Sequence, residues 1–274
     1  MYTVLSEFLP YRASVIHYLV IGTGPRLVFG LHGFGESAHS FAFVGSGLQH
    51  THTLVAIDLP FHGKTDWKEG VLMDPSQLQE ILQQLMAKVS PGNHSATLIG
   101  FSFGARLSLT LIDRYPGTYE RLILLAPDGL VVNRWYWIAT QTTAGNRFFA
   151  FTMKNPQWFF LLIQTGATIG VVNSSIQKFT RQYIHNKQVR QDLYNRWTCM
   201  RKFTPSLKKV KKNILKNAIS VRMLYGEHDR MIAPSFGKKF RKGIESFSTL
   251  QVIDSGHQVL HEKNAQHIIT LFHT

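Results

Sequence analysis

Short apolar runs alternate with amphipathic helical patterns along most of the chain. Residues 96–101 (ATLIGF) and 121–126 (RLILLA) are continuously apolar, as expected for strands that are covered on both faces. Between positions 77 and 89, apolar residues recur three and four apart, which predicts an amphipathic helix. Seven apolar runs predict strands, at 14–21, 26–31, 53–58, 96–101, 121–126, 220–225 and 249–253. Strands that alternate with helices predict an α/β fold with a mainly parallel sheet and helices on both faces.

Residues 128–218 break this alternation. Their pattern is helical, and they hold four of the five tryptophans. They also hold 15 Lys and Arg but only two Asp and Glu, so they carry +13 of the net charge of +14. This shift predicts a framework of residues 1–127 and 219–274, with a basic, aromatic-rich helical insertion at 128–218. Such an insertion is expected above the carboxyl edge of the sheet, where these folds place their sites.

Length and composition limit the class of protein. With 274 residues, 44% hydrophobic and 17% charged, the chain can bury a large core and is not a disordered protein. The single cysteine, Cys199, excludes an internal disulfide and fits a reducing compartment. Residues 1–12 lack the pattern of a secretory signal, and the apolar stretch 158–172 is too short and too polar to span a bilayer. The sequence therefore predicts a cytoplasmic protein.

The excess of basic residues has three interpretations. It forms a solvated helix surface, it attracts anionic membranes or amphiphilic anionic substrates, or it binds nucleic acid. No nucleic-acid recognition motif accompanies the charge, so nucleic-acid binding is not expected. Peripheral contact with an anionic membrane remains an open alternative. The basic residues include a dense cluster that such a membrane would attract, formed by Lys208, Lys209, Lys211 and Lys212.

A motif for a nucleophilic serine follows the apolar run at 96–101. Gly100, Ser102 and Gly104 match the pattern G-x-S-x-G, with a predicted strand before the motif and a predicted helix, at 102–115, after it. So sharp a turn requires small neighbours, and it presents the serine hydroxyl at the end of the sheet. Ser102 is therefore the candidate nucleophile.

Two later strands are followed by candidate partners for this serine. A nucleophilic hydroxyl needs a base, and the base needs a carboxylate that orients it. Of the 13 histidines, only His257 follows a predicted strand through a short glycine-containing loop near the C-terminus. Asp229 follows the preceding strand and is the favoured acid, while Asp128, after the strand before the insertion, is the alternative.

Two backbone donors are needed to stabilise a tetrahedral oxyanion. Phe103, directly after the serine, is expected to supply one N–H group. The loop His32-Gly33-Phe34-Gly35 is expected to supply the other from Phe34, because its glycines let the backbone approach closely. His32 is expected to brace this loop by hydrogen bonds.

Five motifs, in order, resemble the α/β-hydrolase superfamily: HGFGES at 32–37, DLPFHGKTD at 58–66, GFSFG at 100–104, LYGEHD at 224–229 and DSGH at 254–257. The resemblance implies an α/β-hydrolase fold, with a mostly parallel eight-stranded sheet flanked by helices and a helical cap inserted after the sixth strand. It also implies a catalytic triad in the chain order Ser102, Asp229, His257. Relatives often have glycine where this chain has Ala105 and Phe61.

These features predict a serine hydrolase of the carboxylesterase or lipase type, which requires no metal or cofactor. The expected substrate is a small molecule, a hydrophobic acyl ester, because the insertion is rich in aromatic residues. Trp135 and Trp158 are candidate substrate contacts, although dense aromatics at helical spacing are also typical of a helical core. The sequence leaves the acyl chain length and the oligomeric state open.

Two other classes remain as alternatives. Arg106 lies one helical turn after Ser102, and GFSFGAR resembles cap-bearing lyases of the menaquinone pathway, in which an arginine at this place binds a substrate carboxylate. A lyase or carbon–carbon bond hydrolase would use the same triad, but Arg106 equally fits an ion pair with a neighbouring acid on the helix surface. The other alternative is a non-catalytic binding protein on a hydrolase scaffold, which would not need all three triad groups.

Overall fold

A single sheet of eight strands runs through the described chain. The structure, a computed structural model, describes residues 4–131, 134–168 and 184–273. The strands are β1 (Val4–Tyr11), β2 (Ser14–Ile21), β3 (Arg26–Leu31), β4 (His52–Ile57), β5 (Ala96–Phe101), β6 (Tyr119–Leu125), β7 (Ser220–Gly226) and β8 (Ser248–Ile253). Their order in the sheet is β1-β2-β4-β3-β5-β6-β7-β8. Strand β2 is antiparallel to both neighbours and the pairs from β4 to β8 are parallel, which confirms the predicted mainly parallel sheet.

Strand β1 is absent from the sequence-based prediction. It pairs with β2 along its whole length, from Val4 opposite Ile21 to Tyr11 opposite Ser14. Because β1 lies at the edge of the sheet, most of its side chains are exposed, and its buried residues are Leu9 and Tyr11. So few buried positions do not produce a recognisable apolar alternation, which is why the sequence pattern does not predict this strand.

Helices join most of the strands in the described residues. They are α1 (Ala42–Leu48), α2 (Pro75–Val89), α3 (Phe103–Arg114), α4 (Arg134–Gln141), α5 (Thr143–Lys154), α6 (Gln157–Thr168), α7 (Lys187–Cys199), α8 (Leu207–Asn217), α9 (Pro234–Arg241) and α10 (Ala265–Thr270). Single 3-10 turns lie at Ala38–Phe41, Pro116–Thr118, Glu245–Phe247 and Glu262–Asn264. None of these helices combines the length and the apolarity that crossing a bilayer requires.

Helix α2 forms where the apolar spacing predicts it. The buried stripe of this helix consists of Leu78, Ile81, Leu82 and Leu85. At its start, an Asp74 carboxylate oxygen accepts the N–H of Ser76 (3.1 Å), and the Gln77 side-chain carbonyl accepts the N–H of Asp74 (2.8 Å). This capping box and the proline at the first helical position set where the helix begins.

The chain divides into two compact units. The smaller unit comprises residues 132–201 together with 70–72, and the larger unit holds the whole sheet. The chain thus enters the smaller unit after β6, the sixth strand, and returns to the larger unit before β7. These bounds differ from the segment 128–218 that composition predicts, chiefly at the C-terminal end.

Helix α8 accounts for most of this difference, because it packs on the larger unit. The Asn213 side-chain amide donates to the carbonyls of Ile112 (2.9 Å) and Asp113 (3.1 Å) in α3. Val210 and Ile214, on the same helix, are fully buried. The lysine cluster at 208–212 therefore belongs to the framework and not to the insertion.

Aromatic rings and one buried arginine hold the smaller unit together. The Trp197 ring contacts the rings of Tyr136 (5.3 Å between centroids) and Phe149 (5.5 Å), which joins helices α4, α5 and α7. The buried Arg190 guanidinium donates to the carbonyls of Met153 (3.0 Å) and Ile184 (2.8 Å), so its donors are satisfied without an acid. Much of the aromatic content of the insertion therefore serves internal packing.

Candidate active site

Ser102 occupies the tight turn between β5 and α3. Its backbone has φ 48° and ψ −111°, in the left-handed half of φ space that residues other than glycine rarely adopt. The N–H of Ser102 donates to the carbonyl of Leu125 in β6 (2.8 Å), which fixes the turn against the sheet. A Cβ at Gly104 would clash with the carbonyl of Leu31, and one at Gly100 would lie 2.6 Å from the Cα of Ala105. The flanking glycines are therefore required by close backbone packing.

His257 lies within hydrogen-bond distance of this serine. Its Nε2 is 2.9 Å from the Ser102 Oγ, across 155 residues of sequence. The imidazole follows β8 and packs against the Phe101 ring at 5.5 Å between centroids. The side chain is 21% exposed, so the ring is held by the protein and still reached by solvent. This distance suits proton transfer from the hydroxyl to the imidazole.

Asp229 holds the opposite nitrogen of the same imidazole. Its Oδ2 is 2.7 Å from the His257 Nδ1, and its Oδ1 accepts the backbone N–H groups of Met231 (2.8 Å) and Ile232 (2.9 Å). The Asp229 side chain is completely buried. These bonds orient the carboxylate so that it keeps the Nδ1 proton in place and leaves Nε2 free to accept one.

Tyr225, near the end of β7, lies within electrostatic range of this carboxylate. Burial, and then the negative charge of Asp229, raise the pKa of the Tyr225 phenol. The phenol of Tyr225 therefore stays neutral beside the Asp229 carboxylate.

The alternative acid, Asp128, has a different partner. Its carboxylate forms an ion pair with Arg106 and accepts the N–H of Gly129 (2.6 Å). Its backbone N–H donates to the carbonyl of Ser102 (3.1 Å), so Asp128 supports the turn through the main chain. Arg106 thus pairs with an acid, but that acid lies on the loop after β6 rather than on the helix surface.

The two residues expected to supply oxyanion donors lie side by side. The rings of Phe34 and Phe103 pack edge to face, 6.4 Å between centroids. Phe103 is the first residue of α3, so its N–H has no acceptor within the helix. Gly35, with φ 78°, lets the chain turn directly after Phe34.

Two histidines brace the loops around this position. His32 Nδ1 donates to the carbonyl of Gly33 (2.8 Å), and its Nε2 accepts the N–H of Leu59 (3.1 Å). His62 accepts the N–H of Gly35 at its Nε2 (3.2 Å). The expected bracing role of His32 is therefore what its contacts show. Phe61, where relatives often have glycine, takes φ 62°, a backbone strain of about 1–2 kcal/mol for an L-residue.

One contact that the sequence does not reveal joins the segment after His257 to the loop that carries Phe34. The Gln258 side-chain amide, next to His257, donates to the Glu36 carboxylate (2.7 Å) beside the loop of Phe34. Glu36 stands in the motif HGFGES, but nothing in a single sequence identifies its partner 222 residues away.

The tryptophans predicted to contact substrate both belong to the smaller unit. Trp158 packs on the rings of Phe148 (5.2 Å between centroids) and Phe159 (5.7 Å), which fits the alternative of aromatic packing. Trp135 lies in α4, and its side chain is outside the described residues. Across the described chain, no three His, Cys, Asp or Glu side chains are grouped so that they could hold a metal ion.

Fold and site together define a class of protein. A mostly parallel eight-stranded sheet, with a serine at the strand–helix turn and an aspartate and a histidine after later strands, is the arrangement of the α/β-hydrolases. The profile of the family described as serine aminopeptidase, S33 (Hydrolase_4) matches residues 25–264. The chain belongs to this family, and the superfamily predicted from the five motifs is confirmed.

Curated relatives match over part of their length. The esterase Rv0045c of Mycobacterium tuberculosis is 32% identical over 104 residues, which cover 38% of this chain and 33% of that protein. The uncharacterized hydrolase YugF of Bacillus subtilis is 28% identical over 110 residues, 39% of this chain and 38% of that protein. Each alignment therefore spans well under two thirds of the relative.

Solved structures match over nearly the whole chain. A carboxylesterase of the thaumarchaeon Nitrososphaera gargenis has a TM-score of 0.63 at 15% identity, covering 97% of both chains. The 2-hydroxy-6-oxo-6-phenylhexa-2,4-dienoate hydrolase of Rhodococcus sp. strain RHA1 has a TM-score of 0.65 at 16% identity, covering 100% of both chains. At these identities the likeness concerns the fold.

Proposed function

We propose that this protein is a serine hydrolase that cleaves a carboxylic ester through an acyl-enzyme on Ser102. The observation that carries the proposal is the continuous hydrogen-bonded path from Asp229 through His257 to Ser102. The family and the partial match to an esterase support the same reaction type.

In the proposed mechanism, the Ser102 Oγ attacks the ester carbonyl while His257 Nε2 takes the hydroxyl proton. Asp229 stabilises the imidazolium that forms. The N–H groups of Phe34 and Phe103 stabilise the negative charge on the carbonyl oxygen. His257 then gives the proton to the departing alcohol, which leaves the acyl group on Ser102. A water molecule, deprotonated by His257, releases the acid and restores the hydroxyl.

The proposal also assigns roles to the helical insertion and to the basic surface of the protein. In this proposal the smaller unit, rather than the whole of the predicted segment 128–218, acts as a cap that shapes an apolar substrate pocket, with Trp135 and Trp158 as substrate contacts. Peripheral contact with an anionic membrane is part of the proposal, and the net charge of +14 supports it. Nucleic acid is not part of the proposal, because no recognition motif accompanies the basic residues.

A carbon–carbon bond hydrolase or lyase is the second candidate. The place of Arg106 one turn after Ser102 favours it. The ion pair of Arg106 with Asp128 weighs against it, because a substrate carboxylate would have to compete with this carboxylate for the guanidinium. The ester hydrolase is therefore preferred.

A panel of p-nitrophenyl esters from acetate to palmitate tests the proposed substrate class. We expect kcat/KM to rise with acyl length over the first members, by about fourfold per methylene, since each buried CH₂ contributes about 0.8 kcal/mol. The Ser102→Ala variant, measured in parallel, supplies the background rate.

Two results would overturn this substrate class. A folded protein that is silent across the whole panel would favour the carbon–carbon bond hydrolase or lyase. Turnover of aminoacyl p-nitroanilides without turnover of any ester would assign the site to peptide substrates, as the family description suggests.

A further inference from the structure

Large apolar side chains are exposed on helices α5 and α6 of the smaller unit. They are Phe148 (58% exposed), Phe151 (52%), Leu161 (67%) and Leu162 (55%), which we call the apolar face. Folded proteins rarely leave several large apolar side chains in water unless the surface has a partner. These four side chains are more than half exposed, so packing within the smaller unit does not account for their apolar character.

The four side chains form one surface. Phe148 and Phe151 lie one turn apart on α5, and the Phe148 ring contacts Trp158 on α6 at 5.2 Å between centroids. Leu161 and Leu162 follow Trp158 by three and four residues, so they share its side of the helix. Trp158 thus links the two exposed pairs across the helix–helix contact.

Basic residues accompany this face and acidic ones are absent from its sequence neighbourhood. Arg147 and Lys154, on the same helix as the two phenylalanines, are exposed. Between Asp128 and Asp192 the sequence contains no Asp or Glu at all. Any partner of this surface therefore meets apolar groups and positive charge together.

That combination favours one occupant over the others. A second copy of the chain would bring the same positive charge to the contact, and nucleic acid would leave the leucines and phenylalanines in water. An anionic bilayer surface satisfies both features, because apolar side chains enter the boundary between headgroups and acyl chains while Arg and Lys meet lipid phosphates.

We propose that the apolar face docks this protein on anionic phospholipid membranes. Phe148, Phe151, Leu161 and Leu162 enter the interface, and Arg147 and Lys154 contact the headgroups. In this proposal the attachment is peripheral, because the side chains enter only the interfacial layer of the bilayer.

Co-sedimentation of the full chain with phospholipid vesicles tests the proposal. The vesicles are of equimolar phosphatidylcholine and phosphatidylglycerol, or of phosphatidylcholine alone. We expect binding to the anionic vesicles that weakens as salt rises. The double variant Leu161→Gln/Leu162→Gln should bind the anionic vesicles at least about tenfold more weakly than the wild type, because two leucines no longer leave water on docking. Glutamine keeps the helix propensity of leucine.

A matched control uses an exposed leucine of the larger unit. Leu215 lies on helix α8 and is 47% exposed, so Leu215→Gln makes the same chemical change away from the apolar face. We expect it to bind vesicles like the wild type. Ser102→Ala should also bind normally, and the double leucine variant should keep turnover of p-nitrophenyl acetate, which separates docking from catalysis.

Four outcomes would overturn the proposal. They are absence of wild-type binding to the anionic vesicles, unchanged binding by the double leucine variant, equal loss of binding by Leu215→Gln, and a wild-type dimer that the double leucine variant converts to monomer. The last would make the face a contact between copies of the chain. Binding of the wild type to RNA but not to vesicles falls under the first outcome.

Discussion

Replacing Ser102 by alanine should lower kcat for a p-nitrophenyl ester by about 10⁴- to 10⁶-fold, with little change in the melting temperature. The loss is expected because the Ser102 Oγ lies 2.9 Å from the His257 Nε2, which can take its proton. Without it no acyl-enzyme forms, and the remaining groups can only bind the ester and polarise its carbonyl. Steady-state kinetics together with thermal unfolding measure both quantities.

A second serine on the same helix is the matched control. The Ser108 Oγ donates to the carbonyl of Gly104 (3.0 Å) within α3 and is fully buried. We expect Ser108→Ala to keep turnover within a few-fold of the wild type. Unchanged turnover in folded Ser102→Ala would show that another group is the nucleophile.

Exchanging each of two aspartates for asparagine should have very different effects. We expect Asp229→Asn to lower kcat by about 10⁴-fold, because an amide that donates to His257 Nδ1 would stabilise the wrong tautomer of the imidazole. Asp128→Asn should lower kcat by less than about tenfold. Asp128→Asn should instead lower the free energy of unfolding by roughly 1–3 kcal/mol, because Arg106 loses its charged partner.

The ranking of the two variants decides which aspartate is the acid. Kinetics of both proteins on the same ester, each checked by its unfolding midpoint, measure it. If Asp128→Asn were the slower enzyme, the acid would lie on the loop after β6, and the bond between Asp229 and His257 would be structural.

Local steric rules explain why the candidate site could be predicted from the sequence. The turn at Ser102 admits only small flanking residues, so Gly100 and Gly104 mark it in any single sequence. Asp229 follows β7, whose C-terminal half is buried, and His257 follows β8, an edge strand that keeps the apolar residues Leu250, Val252 and Ile253. Position after a strand and the chain order of the triad name both residues as candidates, while position alone leaves Asp128 as an alternative acid.

Long-range packing explains what the sequence did not reveal. The partner of Arg106 lies 22 residues away on another element, and the partner of Glu36 lies 222 residues away. Helix α8 was assigned to the insertion because its lysines match the composition there, whereas its buried face, with Val210 and Ile214, packs in the larger unit. Composition therefore indicates which residues are close in the sequence, whereas burial shows which unit a helix packs in.

Covalent labelling with an active-site probe tests directly whether Ser102 is the nucleophile. The protein is incubated with a fluorophosphonate probe, digested, and the modified peptide is identified by mass spectrometry. We expect a single adduct on Ser102, absent from Ser102→Ala and strongly reduced in His257→Ala, because the hydroxyl needs its base to attack phosphorus. Failure of the folded wild type to react, or an adduct on any other residue, would contradict the assignment of Ser102 as the nucleophile.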